Sequence, residues 1–407
     1  MDPFLQLPVE LICQILEDTA DFVGVESLTS VSRPARAVLQ ANSPAIMQAI
    51  SASHPIASQP EIKSLVSNIV ILHSPSIHCA TLDGFKQLAA EVHELDSPQR
   101  FHSPQVACRI LHIAAQIQRL ACVCLAKLQR EFSCAVEASP LHAQQANRPF
   151  SCIEEYRVCW ALWHLRCYSD LRKSVDNRFS PFYNAGNSSI HSKWSWPNES
   201  IQALDLYPNS DTFNPFMKEI IWTVAVALED LKACPPSVFP GEKLQPEHRS
   251  TLSWELSAET PIPFFSSFEL PRLLETQYSI WSPPPVPTRN SATNRWCLLP
   301  TYWATSSGHI GLFRFLRSQV LRSGPNWRGM NNILRYRRCG MLIWDRWRMF
   351  STGLFINSFR ERVPTPDGGF AEAGQVETPD GPWVELDECE NTLSRVTQRW
   401  IKIGGTE

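Results

Sequence analysis

The chain has 407 residues, 43% of them apolar and 19% charged, with a formal net charge of −3. That length suits a small module plus one large domain, or two to three ordinary domains, and a near-neutral balance argues against a whole-protein field for nucleic acid or anionic membranes. Thirty-two prolines against 16 glycines predict short helices with fixed starts and rigid connectors.

The opening residues "MDPFLQLPVE" lack a basic segment followed by an apolar run and a small-residue cleavage site. The apolar stretch near Ile220–Leu228, interrupted by Thr223, is too short to span a bilayer. The expectation is therefore an intracellular protein of the cytoplasm or nucleus, with reduced thiols and no membrane partner. The 13 cysteines contain no C-x-x-C pair, only Cys122-Val-Cys124, so they read as small buried hydrophobes, with no metal site and no cofactor.

From Leu5 the pattern is helical. Pro8 suits the start of a first helix, and Glu10 in its first turn meets unpaired N–H groups. Leu11, Ile15 and Leu16 form one apolar face with Ile12. Thr19–Gly24 reads as a connector, and Val25, Leu28 and Val31 start a second amphipathic helix. Pro34 predicts a break or kink in it. Ser43-Pro44 is a cap-plus-proline start for a third helix carrying Ile46, Met47 and Ile50. Three such helices total too few residues to bury much core alone, so their apolar face needs a partner surface.

"LPVELICQILE" followed by "ESLTSVSRPARAVLQANSPAIMQAI" resembles an F-box, the short helical module that docks on the Skp-type adaptor of cullin–RING ubiquitin ligases. Leu7, Pro8, Glu10, Leu11, Ile15 and Leu16 match the first half of the family pattern. Leu28, Val31, Ser32, Arg33 and Arg36 match the second, with Ala35 where a bulky aromatic is frequent and Met47 where tryptophan often stands. The resemblance implies a mainly α protein: a three-helix module over 1–50, then a mostly helical substrate-recognition region over 51–407. It further implies a non-catalytic adaptor that binds the Skp-type subunit, and through it cullin, by Leu7, Pro8, Glu10, Leu11, Ile15, Leu16, Leu28, Val31, Ile46 and Met47, while recruiting a protein substrate.

Beyond the module, Val106, Ile110, Ile113, Ile117, Leu120 and Cys124 recur at spacings of three and four, predicting a long core helix. In "SCIEEYRVCWALWHLRCYSDLRKSV", Ser151 and Glu154 fit a capping box, and Val158, Leu162, Leu165 and Tyr168 share a face broadened by Trp160, Trp163 and His164. This segment, and "RYRRCGMLIWDRWRMFSTGL" near the C-terminus, resemble recurrent elements of fungal F-box proteins. Proline-rich connectors are predicted near 234–248 and 282–294, and no repeat period supports leucine-rich, WD40 or kelch arrays.

From Arg314 to Arg348 there are nine arginines and one acid, Asp345, interleaved with Trp327, Tyr336, Trp344 and Trp347. Such a segment suits phosphate contacts and base stacking, but pairing with acidic surfaces is the simpler expectation. Val363–Ser394 has eight acids and no basic residue and reads as an acidic loop, with "TPDG" turns at Thr365 and Thr378. No phosphate loop, G-x-S-x-G elbow or H-E-x-x-H helix occurs; His164 and Cys167, three apart on one helix, are the nearest approach to a nucleophile pair. The ligase adaptor stands against two alternatives: a ligase-independent scaffold whose N-terminal helices pack on its own core, and a nucleic-acid-associated protein working through 314–348.

Overall fold

A computed structural model describes residues 2–94, 103–136, 144–175, 194, 196–197, 199–201, 215–233, 262–265, 267–268, 330–345, 348–349, 352–354 and 402–403, with the backbone alone of four short strands between 362 and 384. The architecture is mainly helical. After a short 3-10 helix (Pro3–Gln6) come α1 (Val9–Asp18), α2 (Phe22–Val31), α3 (Arg33–Ser53), α4 (Pro60–His73), α5 (Leu82–Glu94), α6 (Pro104–Val136), α7 (Cys152–Val175), α8 (Pro215–Ala233) and α9 (Met330–Arg338).

Two compact units organise the chain. One comprises Met1–Val123, Val158–Phe213 and Pro261–Pro283; the other comprises Cys124–Arg157, Asn214–Thr260 and Pro284–Glu407. Residues 1–50 thus fall inside the first unit, and α3 continues through position 50 to Ser53.

Local chemistry explains the N-terminal boundaries. The Asp2 side chain accepts from the Phe4 N–H at 2.9 Å and caps the 3-10 helix. Asp21 caps α2 by accepting from the Val23 and Gly24 N–H groups at 3.1 and 3.0 Å, so α2 begins at Phe22 rather than at Val25. A Cβ on Gly24 would stand 2.9 Å from the Asp21 carboxylate, so a larger residue there would make the capping side chain shift. Ser32 ends α2 and caps α3 by accepting from the Ala35 N–H at 3.2 Å. Pro34 therefore lies in the first turn of α3, where its missing donor is no loss, and the division expected near it falls two residues earlier, at Ser32. Ser43-Pro44 begins a fresh helical stretch as expected: Asn42 leaves helical conformation (φ −121°, ψ 16°), so α3 is two helices joined across a kink, and the Ser43 hydroxyl donates to the Pro104 carbonyl at 3.2 Å.

In the first unit α1 and α2 both pack on α3, and α4 packs on α5. The core includes Ile12, Leu16, Val25, Ile46, Ile50, Ile69, Ile110 and Ile117. Every residue of the predicted 3/4 series on α6, from Val106 to Cys124, is buried. By length and hydropathy α6 would suit a bilayer, but two-thirds of its most apolar window is buried in protein, as befits a core helix. Trp194 and Trp196 stack with ring centroids 6.0 Å apart and donate to the Ile77 and Cys79 carbonyls at 3.2 and 2.7 Å, pinning the link between α4 and α5.

In the second unit α8 packs on α9. Helix α9 closes with Gly340 in the left-handed region (φ 64°), the Gly340 N–H bonding the Arg337 carbonyl and the Met341 N–H the Tyr336 carbonyl. This is a Schellman stop. A Cβ at Gly340 would also meet the Trp344 ring at 3.1 Å and Leu128 at 3.2 Å. Strands β1 (Arg362–Pro364) and β2 (Phe370–Glu372) pair antiparallel, as do β3 (Val376–Thr378) and β4 (Gly381–Val384), so hairpin pairing flanks both TPDG segments inside the predicted acidic loop. The connectors predicted near 234–248 and 282–294 lie outside the described residues.

Candidate functional site

Two constellations stand out, one on the surface of the first unit and one buried in the second.

The surface constellation is apolar. Leu5 is 65% exposed, Leu7 36%, Val9 57%, Leu11 46% and Ile15 36%. Helix α1 spends Ile12 and Leu16 on the core side, and Leu11 and Ile15 lie about 100° round it, one turn apart. Leu7 lies ahead of α1 in extended backbone (φ −85°, ψ 140°), and Leu11 and Ile15 make the exposed strip along one side of the helix. Val31, 80% exposed, ends α2, where the Arg36 guanidinium caps the helix by donating to the Thr29 and Ser30 carbonyls, both at 2.9 Å.

The residues read from sequence as a docking set therefore separate. Leu7, Pro8, Glu10, Leu11, Ile15 and Val31 are exposed, and Leu28 is half-buried. Leu16, Ile46 and Met47 are buried on α1 and α3, which pack on each other; they hold the module together rather than face outward. Leu5 and Val9 are also exposed, Leu5 in the 3-10 helix and Val9 at the start of α1, about 200° round the helix from Leu11. Both flank the Leu-Pro pair in sequence, which was the available signal. The inner side is tied to α6 as well: Gln118 donates to Asp21 at 2.6 Å, and Glu26 pairs with Arg119 and His112.

The buried constellation explains the two C-terminal motifs. All five N–H groups of Arg348 are used: two go to Glu154, both at 2.8 Å, and three to the carbonyls of Ala146, Arg148 and Pro149. Glu154 in turn accepts the Ser151 N–H, which is its half of the capping box, and the Asp345 N–H, both at 3.0 Å. Burial works to raise the Glu154 carboxyl, but Arg348 and these N–H donors prevail and hold it below the ordinary range. Asp345 is pushed up by burial and by the neighbouring Glu154 charge, and its side chain accepts the Arg348 backbone N–H at 2.6 Å. Arg157 donates to the Ile343 and Trp344 carbonyls at 2.9 and 2.8 Å. Glu154 and Arg157 of "EEYRV" and Asp345 and Arg348 of "IWDRWR" thus share one buried polar network.

The described arginines of the 314–348 segment are mostly committed inward. Arg337 pairs with Glu219, Arg338 with Asp230 and Arg348 with Glu154; Arg335 is exposed. Their partners lie on α7 and α8, and the sequence could not name them because they stand more than 100 positions away. His164 and Cys167 do not form an activated pair: desolvation pushes the imidazole down to about 3 and the thiol up to about 12, leaving both neutral. In the same unit Asp170 of the "YSDL" motif accepts from Arg166 at 2.7 Å and lies 2.9 Å from His73 Nε2. Among the described residues no cluster of histidine, cysteine or carboxylate has the makings of a metal site.

Comparison with protein families, with characterised proteins and with solved structures returns no match.

Proposed function

We propose that this chain is a non-catalytic adaptor that docks on a Skp-type subunit through the exposed strip of its N-terminal helices and recruits a protein substrate to a cullin–RING ubiquitin ligase. The observation that carries this reading is the division of labour on α1: Ile12 and Leu16 close the chain's own core, while Leu11 and Ile15 are exposed, as is Leu7 ahead of the helix. An apolar strip left in water is the feature a partner surface removes. The F-box resemblance of Leu7-Pro8-x-Glu10-Leu11 names that partner. The chain's contribution to the reaction is proximity, raising the effective concentration of substrate lysines near the charged conjugating enzyme.

The test is co-purification of the full chain with a Skp-type subunit, wild type beside Leu11→Asp/Ile15→Asp. The full chain is required because Asp21, Glu26 and Ser43 bond to α6 or to its first residue. Both substituted side chains are exposed, so circular dichroism is expected to stay native while affinity falls about 100-fold or more. A wild-type chain that forms no complex, or a double variant that binds as well as wild type, refutes the adaptor reading.

The ties to α6 favour a second reading, a scaffold whose N-terminal helices are a permanent part of its first unit and serve no ligase. That protein gives no Skp-type complex in the same experiment.

A further inference from the structure

The charge around the exposed strip narrows the chemistry of what covers it. Before Arg33 the chain has no lysine, arginine or histidine and six acids: Asp2, Glu10, Glu17, Asp18, Asp21 and Glu26. Asp21 and Glu26 are spent on α6, and Asp2 caps the 3-10 helix. Glu10, Glu17 and Asp18 make no ion pair among the described residues; Glu17 accepts only a weak bond from the Cys13 thiol at 3.4 Å. Asp18 falls three residues after Ile15 and so continues the strip's own row, while Glu10 and Glu17 lie further round α1.

The position of Glu17 and Asp18 sharpens the point. They occupy the last turn of α1, where unpaired carbonyls already concentrate negative charge, and no basic residue stands in that turn. Carboxylates there are disfavoured by the helix itself, and nothing described in the chain relieves them. An external cation would do so.

We infer, resting on the adaptor reading, that the exposed Leu11 and Ile15, with Leu7 ahead of them, seat in an apolar groove that carries lysine or arginine near the C-terminal end of α1, where Asp18 continues their row and Glu17 shares the last turn. The acidic rim steers the two surfaces together. A second copy of this chain does not fit, because a two-fold contact of the face with itself opposes like charges. An anionic lipid surface is repelled for the same reason.

The experiment follows association of the full chain with a Skp-type subunit at low and high ionic strength. Wild type is compared with Glu17→Lys/Asp18→Lys, and with Glu91→Lys on the exposed side of α5 as a control. The expected result is a wild-type association rate that falls with salt. The double variant associates about tenfold more slowly at low salt, with that dependence flattened, and the control behaves as wild type. The double variant also melts no lower than wild type, since lysines suit the end of α1; slower binding by a chain of equal or greater stability separates steering from damage. A complex whose rate ignores salt, or one that forms faster with the lysines, overturns the basic groove and leaves the adaptor reading standing. No wild-type complex at any salt removes the adaptor reading and this inference with it.

Discussion

Replacing Arg348 by methionine removes the centre of the buried network while leaving a side chain of similar length. The Glu154 carboxylate, fully buried, then keeps the Ser151 and Asp345 N–H groups, and the Ala146, Arg148 and Pro149 carbonyls lose the guanidinium, the first two keeping Gln129 as donor. Breaking a buried pair from one side costs about 3–5 kcal/mol, because the remaining charge is stranded away from water. That is a large share of a typical folding stability of about 5–15 kcal/mol. Adding Glu154→Gln to Arg348→Met removes the stranded charge, so the double variant is expected to recover part of the loss, about 1–3 kcal/mol. Urea unfolding of the four members of this cycle, followed by tryptophan fluorescence, measures both numbers. Trp344 lies against the Arg348 guanidinium, 5.0 Å from charge to ring centre, and reports locally. A loss below about 1 kcal/mol for Arg348→Met, or a double variant as unstable as the sum of the singles, refutes the claim that Arg348 is there to satisfy Glu154.

Two further outcomes follow from the first unit. His54 accepts the Ile56 and Ala57 N–H groups at its Nδ1, both at 3.1 Å, stacks on Phe22 and is pushed by burial down to about 4, against a smaller upward pull from Asp21. The folded state holds it neutral, so the unfolded chain binds the extra proton. Stability is therefore complete above pH 6.5 and falls by about 3 kcal/mol as pH drops towards 4. His54→Asn should flatten that part of the pH profile of urea midpoints, and an unchanged slope would count against the assignment. For the module's interior, Ile46→Ala is expected to cost about 2–4 kcal/mol by opening a cavity, whereas Val31→Ser stays within about 0.5 kcal/mol. Thermal melts of the two variants check it, and equal losses would mean that Val31 is packed.

Much of the fold was legible because periodicity carries it. The series Val106 to Cys124 and Val158 to Tyr168 predicted the core sides of α6 and α7 without any knowledge of partners. The start of α2 was missed because Asp21 was read as part of a connector, although an aspartate before an apolar run is also a cap. Pro34 and Pro44 were read as opposite signals, a break and a start. The capping hydroxyl of Ser32 and the α6 contact of Ser43 decide their roles, and only the first is local in sequence. The docking residues were separable only in part. Leu11 and Leu16 both belong to a broad apolar helix side, and which edge of it faces α3 depends on the crossing of two helices, which no pattern on α1 encodes. The pairings of Arg337, Arg338 and Arg348 were legible as charge balance but not as partners, since those were fixed by tertiary contact.

The Glu154 capping box has a consequence for the nascent chain. Its glutamate belongs to residues 151–154 by local geometry, yet its charge is neutralised by a residue 194 positions later. At ribosomal speeds of about 5–20 residues per second, roughly 10–40 s separate the synthesis of the cap from that of its counter-charge. During that interval the start of α7 must either remain hydrated or bury an unpaired carboxylate, and hydration is the cheaper state. The second unit therefore closes late in synthesis. A chain cut short before Arg348 would carry an open, water-filled junction at the start of the helix that holds Trp160 and Trp163, a ready target for proteases and chaperones.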